Sequence, residues 1–171
     1  MIEINKSTDI SVNEEVVRKA IEMTLASEKV YHPNHKLKPE TNVSETNISA
    51  LEELEVSVLL TDDREIQRLN KQYRGIDKPT DVLAFAMREG IDSEINPNLL
   101  GDIVISVQTA QRQANDAISN GRLRLTVGHS LDMELALLIV HGTLHLLGYD
   151  HETGDEAAIM RDKEEMILRL L

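Results

Sequence analysis

The 171-residue sequence predicts one α+β domain in which about five helices pack on a small sheet of about four strands. Apolar residues recur at helical spacing in some segments and at alternate positions in others. With 41% hydrophobic residues, the chain is large enough for a substantial core, which must be aliphatic because only 2% of residues are aromatic. Residues 31–50 are polar, contain two prolines and show no sustained period, so we expect an inserted loop there within a domain spanning 1–171.

The predicted strands are short apolar runs bounded by turn residues. Segment 54–60 alternates apolar and polar residues, as a strand with one buried face does. The runs at 81–87 and 102–107 are partly β-branched or aromatic and are expected to be neighbours in the sheet. The predicted strands are 2–4, 54–60, 81–87 and 102–107.

The predicted helices combine an apolar helical period with recognisable ends. Capping-box patterns begin the first, second and last helices at Ser11, Asp62 and Thr153. The fourth helix is apolar on nearly every side, which predicts burial at the centre of the domain. The last helix is expected to turn Met160 and Leu170 towards the core. The predicted helices are 12–27, 62–75, 108–119, 131–147 and 153 to about 170.

Three histidines are concentrated in the segment HGTLHLLGYDH, at the end of the predicted buried helix. His141 and His145 are four residues apart, so their imidazoles leave one face of a helix and can converge on one ion. Gly148 tolerates a positive φ and lets the chain return His151 as a third ligand. Three ligands leave one tetrahedral position for water, as in catalytic zinc sites. The pattern therefore predicts one Zn²⁺ that serves hydrolysis.

Several points about this site stay open. His141 and His145 alone would be explained equally well as hydrogen-bonded core residues, and three imidazoles also accept nickel, copper or iron. Gly142 stands where H-E-x-x-H peptidases carry the glutamate that acts as general base. Asp150, a group elsewhere, or a metal-bound hydroxide could take the proton instead.

Composition limits the possible functions further. The absence of cysteine excludes thiolate ligands and a disulfide framework. A formal net charge of −12 argues against a large non-specific nucleic-acid surface, so any RNA is expected in a local basic groove. The N-terminus lacks the apolar core of a signal peptide, and no apolar run is long enough to span a membrane. We therefore expect a cytoplasmic protein without a membrane partner.

Two further blocks accompany the histidine segment: LNKQYRGIDKPTDVLAFAM at residues 69–87 and LGDIVIS at residues 100–106. Together the three blocks closely resemble the YbeY family of bacterial endoribonucleases, over most of residues 54–170. Three separated blocks in one order are more specific than any of them alone. One departure is AFAM, where SFP is commoner, and this leaves open the shape of the groove beside that strand.

The resemblance implies an α+β fold with a small mixed sheet and a metal-dependent, single-strand-specific endoribonuclease. Such enzymes mature ribosomal RNA, notably the small-subunit 3′ end, and take part in ribosome quality control. Single-stranded RNA, ribosomal RNA and ribosomal proteins are the implied partners. The family's metal-binding histidines correspond to His141, His145 and His151. Its functionally important arginine corresponds to Arg74, expected to stabilise charge on the scissile phosphate.

Charged residues within and near the block at residues 69–87 are candidates for the same cleft. Lys71, Arg74 and Lys78 cluster around a glycine-interrupted loop that could grip phosphates, although cations at a helix C-terminus also favour the helix dipole. Asp81 could orient a metal ligand as an outer partner, or it could cap a strand. Asp150 is a candidate for the same outer role.

Two other functions remain as alternatives. A metallopeptidase or amide hydrolase is favoured by the histidine spacing and opposed by Gly142. A ribosome-associated module with a structural metal would need a fourth protein ligand to close the coordination sphere.

Overall fold

The computed structural model describes residues 1–31, 54–87, 98–119 and 130–171. These residues form five helices and a four-stranded sheet, which confirms the predicted α+β class. The strands are β1 (Ile2–Lys6), β2 (Glu55–Thr61), β3 (Val82–Ala86) and β4 (Leu99–Ser106). The helices are α1 (Glu14–Tyr31), α2 (Asp63–Arg74), α3 (Val107–Ser119), α4 (Leu131–Leu146) and α5 (Gly154–Leu168). The predicted insertion falls almost entirely outside the described residues.

The sheet is mixed and has the order β1-β2-β4-β3. Strands β1, β2 and β4 run parallel, whereas β3 pairs antiparallel with β4. The two strands expected to be neighbours therefore do pair, with Phe85 opposite Asp102 and Ala86 opposite Gly101. As a result, the end of β3 meets the beginning of β4.

Helix α4 lies at the centre of the main core, as its all-round apolar character predicts. It contacts α1, α3, α5 and strands β3 and β4. The side chain of Ser130 caps its start by accepting a hydrogen bond from the backbone nitrogen of Met133. Gly142 packs so closely on β4 that an added Cβ would lie 3.1 Å from the Ile103 side chain. A larger side chain at position 142 would therefore press against Ile103.

Helix α2 covers the opposite face of the sheet. Its buried Ile66 packs against Leu83 of β3 and Val104 of β4. Residues flanking these two in their strands face the main core, because alternate strand residues point to opposite sides. Asp62 caps the start of α2, and Gly75 ends it with a φ of 71°, as the sequence predicts.

Helix α1 differs from its prediction at both ends. Asn13 caps it through a side-chain hydrogen bond to the backbone. Glu14, expected to close a capping box with Ser11, instead forms a 2.7 Å ion pair with Lys6 of β1. The helix also continues to Tyr31, past its expected end at residue 27.

Helix α5 begins with the predicted capping box between Thr153 and Glu156. Met160 is buried, as expected. The expectation that Leu170 faces the core is wrong: this side chain is 56% exposed, because it follows the end of the helix. None of the described helices is long and apolar enough to cross a membrane.

Candidate metal centre

Three histidine side chains meet at the C-terminal end of α4. His141 and His145 lie near the end of the helix, and His151 lies in the connection to α5. One nitrogen from each ring lies within 4.8 Å of the other two, so the group could hold a metal ion. Within the described ranges, no carboxylate joins this group. The structure thus brings together the three ligands that the sequence predicts.

The turn after α4 returns the third histidine to the helix. Gly148 adopts a φ of 90°, the left-handed conformation that the sequence predicts there. The backbone nitrogens of Gly148 and Tyr149 donate to the carbonyl oxygens of His145 and Leu144 at 2.9 and 3.0 Å. This reversal brings the ring centroids of His145 and His151 to 5.1 Å from each other.

Both helical histidines have Nδ1 committed to a fixed acceptor. The Nδ1 of His141 donates to Glu164 Oε1 at 2.7 Å, and that of His145 donates to the carbonyl oxygen of Tyr149 at 2.9 Å. A carbonyl can only accept, so the His145 proton belongs on Nδ1. In the neutral rings each Nε2 therefore carries a free lone pair. Metal-binding histidines are held in this way by outer partners.

The two Nε2 atoms face each other at 3.1 Å. When both neutral rings carry their protons on Nδ1, two lone pairs meet, and a shared cation removes the repulsion between them. Two imidazoles on one tetrahedral zinc would place these atoms about 3.3 Å apart. Burial lowers the pKa of His145, and the imidazoles of His141 and His151 lower it further, which favours the neutral ring that binds metal. The donor set therefore fits a divalent metal.

Gly142 lies on the face of α4 that meets the sheet. A glutamate there would have to enter the packed contact with Ile103. In H-E-x-x-H peptidases this position carries the glutamate that acts as general base, whereas here it faces the packed core.

Asp150 lies exposed in the turn before His151. Its Oδ1 accepts a hydrogen bond from the His151 backbone nitrogen at 2.8 Å, so the carboxylate shapes the turn. The outer carboxylate that contacts a histidine ring is Glu164, which sequence reasoning missed. These partners are 23 residues apart, and no spacing rule connects them. The Glu164 side chain lies on the side of α5 that faces α4 and is only 14% exposed. A carboxylate on the buried side of the last helix is the signal that could have pointed to this role.

Arg74 and Lys78 are exposed cations near the end of α2. Neither forms an ion pair or side-chain hydrogen bond with other residues that the structure describes. Lys71, predicted to belong to the same cluster, is instead paired with Asp77 at 2.6 Å. The local basic surface is therefore smaller than the sequence suggests, but within residues 1–31, 54–87, 98–119 and 130–171 no carboxylate pairs with its two remaining cations.

The C-terminal ends of α2 and α4 lie at the same end of β3 and β4, on opposite faces of the sheet. Tyr73, which precedes Arg74 in α2, contacts Phe85 edge-on with ring centroids 5.0 Å apart. The Phe85 carbonyl approaches Gly101, and a Cβ at Gly101 would lie 3.1 Å from Leu146, the residue after His145. We refer to this region, around Gly101 and Phe85, as the histidine end of the sheet.

Asp81 lies at the other end of β3, about 17 Å along the strand from its last residue. Its Oδ1 accepts from the backbone nitrogen of Val82 at 2.8 Å, and its Oδ2 accepts from Gln113 Nε2 at 2.9 Å. The structure therefore does not bring Asp81 to the histidines. Its contacts are those of a residue that caps the strand.

Fold and site together define an α+β protein whose three-histidine group is suited to a divalent metal. Among protein families, the model described as Endoribonuclease YbeY matches residues 3–171, and the chain belongs to this family. The resemblance seen in the sequence is thereby confirmed.

Relatives support the same assignment. An endoribonuclease YbeY from Heliobacterium modesticaldum is 50% identical over 127 residues, covering 70% of this chain and 70% of the relative. One from Pelotomaculum thermopropionicum is 52% identical over 119 residues, or 68% and 72% of the two chains. A solution structure from Thermotoga maritima covers 99% of this chain and 87% of its own, with a TM-score of 0.55 and 24% identity. That structure supports the fold alone.

Proposed function

We propose that this chain is a zinc-dependent endoribonuclease that cleaves single-stranded RNA. Its relatives are named endoribonucleases. The observation that carries the proposal is the pair of His141 and His145 Nε2 atoms, facing each other at 3.1 Å while both Nδ1 atoms are occupied. By resemblance to the family, we assign it to maturation of ribosomal RNA, including the small-subunit 3′ end, and to ribosome quality control.

In this proposal His141, His145 and His151 hold the metal, and Glu164 fixes the ring of the first of them. When bound, a divalent metal supplies Lewis-acid chemistry towards a phosphoryl oxygen or water. The protein adds Arg74, whose planar guanidinium can donate two hydrogen bonds to a phosphate and stabilise charge that develops on its oxygens. Arg74 has no side-chain partner among the residues that the structure describes, so none of these residues competes with a phosphate for its guanidinium.

Tyr73 supports a preference for single strands. Tyr73 is 60% exposed, precedes Arg74 in α2, and its ring rests edge-on against Phe85. An unpaired base can stack on such a ring while a cation contacts the adjoining phosphate, whereas paired bases are already stacked. The sequence does not reveal this exposure, because Tyr73 stands at helical spacing from the buried Ile66 and so resembles a core residue.

Two alternatives receive no support. The buried Gly142 removes the base that a peptidase of this histidine pattern requires. A structural metal needs a fourth protein ligand, and the described residues offer three. We further infer a cytoplasmic protein with ribosomal proteins as candidate partners, and one domain over residues 1–171, supported by the main core that α1, α4, α5 and the sheet share in the described part of the chain.

The test uses purified protein, first stripped of metal and then loaded with zinc. We expect cleavage of a labelled single-stranded RNA that carries the small-subunit 3′ precursor sequence, loss of cleavage on chelation, and recovery with zinc. The same RNA in a duplex should remain intact. Elemental analysis of the protein as purified identifies the native metal. Turnover of casein without cleavage of RNA would reverse the assignment.

A further inference from the structure

A buried polar cluster joins α1, the turn after α4 and α5. Glu28 of α1 accepts a hydrogen bond from the Tyr149 hydroxyl at 2.6 Å and another from Lys163 Nζ at 2.5 Å. The Lys163 ammonium also lies 5.0 Å from the centre of the Tyr149 ring. The side chains of Lys163 and Glu28 are only 9% and 10% exposed. These three residues are named the Glu28 cluster.

Stability alone does not explain the Glu28 cluster. Removing two charges from water costs several kcal/mol per ion, and well-packed apolar residues of similar size often stabilise a protein equally well. An ion pair with two directed hydrogen bonds differs from an apolar contact because it fixes orientation. Here both oxygens of Glu28 are used, and one of them fixes the hydroxyl of Tyr149.

Tyr149 connects the Glu28 cluster to the metal ligands. Its carbonyl oxygen accepts the Nδ1 proton of His145 at 2.9 Å, which directs Nε2 towards the metal position. Tyr149 also precedes His151 by two residues, within the turn that returns this ligand to the helix. A shift of the Tyr149 backbone would therefore move the acceptor of one ligand and the attachment of another.

We propose that the Glu28 cluster is a positioning device for the metal centre. The Tyr149 hydroxyl, held by Glu28 and by Lys163 through that carboxylate, keeps the turn where His145 and His151 are preset for the ion. The cluster acts through the histidines and does not touch substrate. This proposal rests on the metal centre of the proposed function.

The test compares the zinc affinity of Tyr149→Phe with that of the wild type by competition with a chromogenic chelator. This substitution removes the hydroxyl but keeps the ring and the carbonyl that holds His145. Loss of a residue that directly holds a metal ligand weakens metal binding by about 10–100-fold. The Tyr149 hydroxyl acts on the ligands only through the position of the turn, so we expect a loss at the low end of this range, about tenfold. Lys163→Met keeps Tyr149 intact and should weaken binding by a smaller factor.

Thr61→Val is the matched control. It removes a buried hydroxyl that hydrogen-bonds to Ser7 Oγ at 2.8 Å, at the far end of β2. We expect it to lower the unfolding temperature of the metal-free protein without changing its zinc affinity, whereas Tyr149→Phe should change both.

The outcomes separate the proposal from the function on which it rests. Unchanged zinc affinity in folded Tyr149→Phe, or in Lys163→Met if the first variant does not fold, would overturn the positioning role. Wild-type protein that binds no zinc would overturn the metal centre and the positioning role together. Zinc binding that depends on Tyr149 in a protein that cleaves no RNA would support the positioning role and reject only the nuclease.

Discussion

The polar groups that we compare at the two ends of the sheet differ in whether the protein satisfies their hydrogen bonds and charges. Where β2 and β4 finish, Asp63 accepts hydrogen bonds from Ser106 Oγ and from Thr109 Oγ1 at 2.7 Å, and it pairs with Arg112 at 2.8 Å. We refer to these four residues as the Asp63 network. Its charges and hydroxyls are satisfied within the protein, as buried and half-buried polar groups usually are.

At the histidine end, the corresponding groups are left open. The Nε2 atoms of His141 and His145 face each other without a hydrogen between the neutral rings, and Arg74 has no partner in the described part of the chain. Outer contacts nevertheless fix the rings. The comparison shows that the His141 and His145 rings are fixed through Nδ1 while each Nε2 stays available to a ligand. Substitutions at this end should change activity, and those at the Asp63 network should change stability.

The largest expected effect is that of His145→Ala. Loss of one of three ligands should release zinc and reduce cleavage of single-stranded RNA by at least about 100-fold, because the metal supplies the main stabilisation of charge. Cleavage rates and zinc content per protein measure the two effects. Without metal, the variant should unfold at nearly the temperature of the metal-free wild type, since bound zinc would stabilise only the protein that holds it. Cleavage near the wild-type rate would contradict the metal site.

Replacing one arginine at each end of the sheet by alanine, Arg74 or Arg112, tests the comparison directly. Arg74→Ala should lower kcat/KM for RNA by about 100-fold, the cost of losing one donor to developing charge, and leave the unfolding temperature unchanged. Arg112→Ala should leave cleavage unchanged and destabilise the fold by less than about 1 kcal/mol, since its ion pair is partly exposed. If the two variants had equal activity, Arg74 would lose its assigned role.

The parts of the fold and site that could be predicted depend on local chemistry. The Thr153 capping box and the positive φ of Gly148 follow from residues within one turn of each other, and so does the convergence of His141 and His145. The start of α1 was missed because Glu14 forms an ion pair with Lys6 of β1 instead of a capping box with Ser11. The sequence does not show that β1 lies beside the start of this helix.

Partners distant in sequence could not be predicted. Glu164 contacts His141 because α5 packs on α4. The sequence of neither helix determines the angle at which the two pack. For Asp81 the sequence leaves two roles open, an outer partner of a metal ligand or a cap of the strand, because Pro79 just before it could aim the chain at the cleft. The direction of β3 instead carries it about 17 Å away from the strand end that faces the site.

A smaller effect is expected at Tyr73. Tyr73→Ala should weaken binding of a non-cleavable 2′-O-methyl single strand by about tenfold, since stacking of one base contributes about 1–3 kcal/mol. Tyr73→Phe keeps the ring and should bind as the wild type does. Fluorescence anisotropy measures both, with the duplex of the same sequence as control. Equal losses for single strand and duplex would show that Tyr73 supports the surface without stacking on a base.

The smallest effect on cleavage is expected for Asp63→Asn, which tests the Asp63 network and should change only the free energy of unfolding. Burial alone would raise the pKa of Asp63, but hydrogen bonds from Arg112, Ser106 and Thr109 outweigh it and hold the pKa below its ordinary value. The unfolded chain therefore binds this proton more readily. The ionised carboxylate contributes stability that is fully present above the unfolded pKa and is lost as pH falls through the folded pKa.

Urea unfolding from pH 7 down into the acid range measures this contribution. The difference in free energy of unfolding between wild type and Asp63→Asn should be constant near neutrality and shrink as the pH falls below the ordinary range of an aspartate. Cleavage of RNA at neutral pH should be the same for both proteins. A difference that did not change with pH would mean that Asp63 acts through shape and not charge. Loss of cleavage would mean that the two ends are coupled, because the Asp63 network contacts neither the histidines nor Arg74.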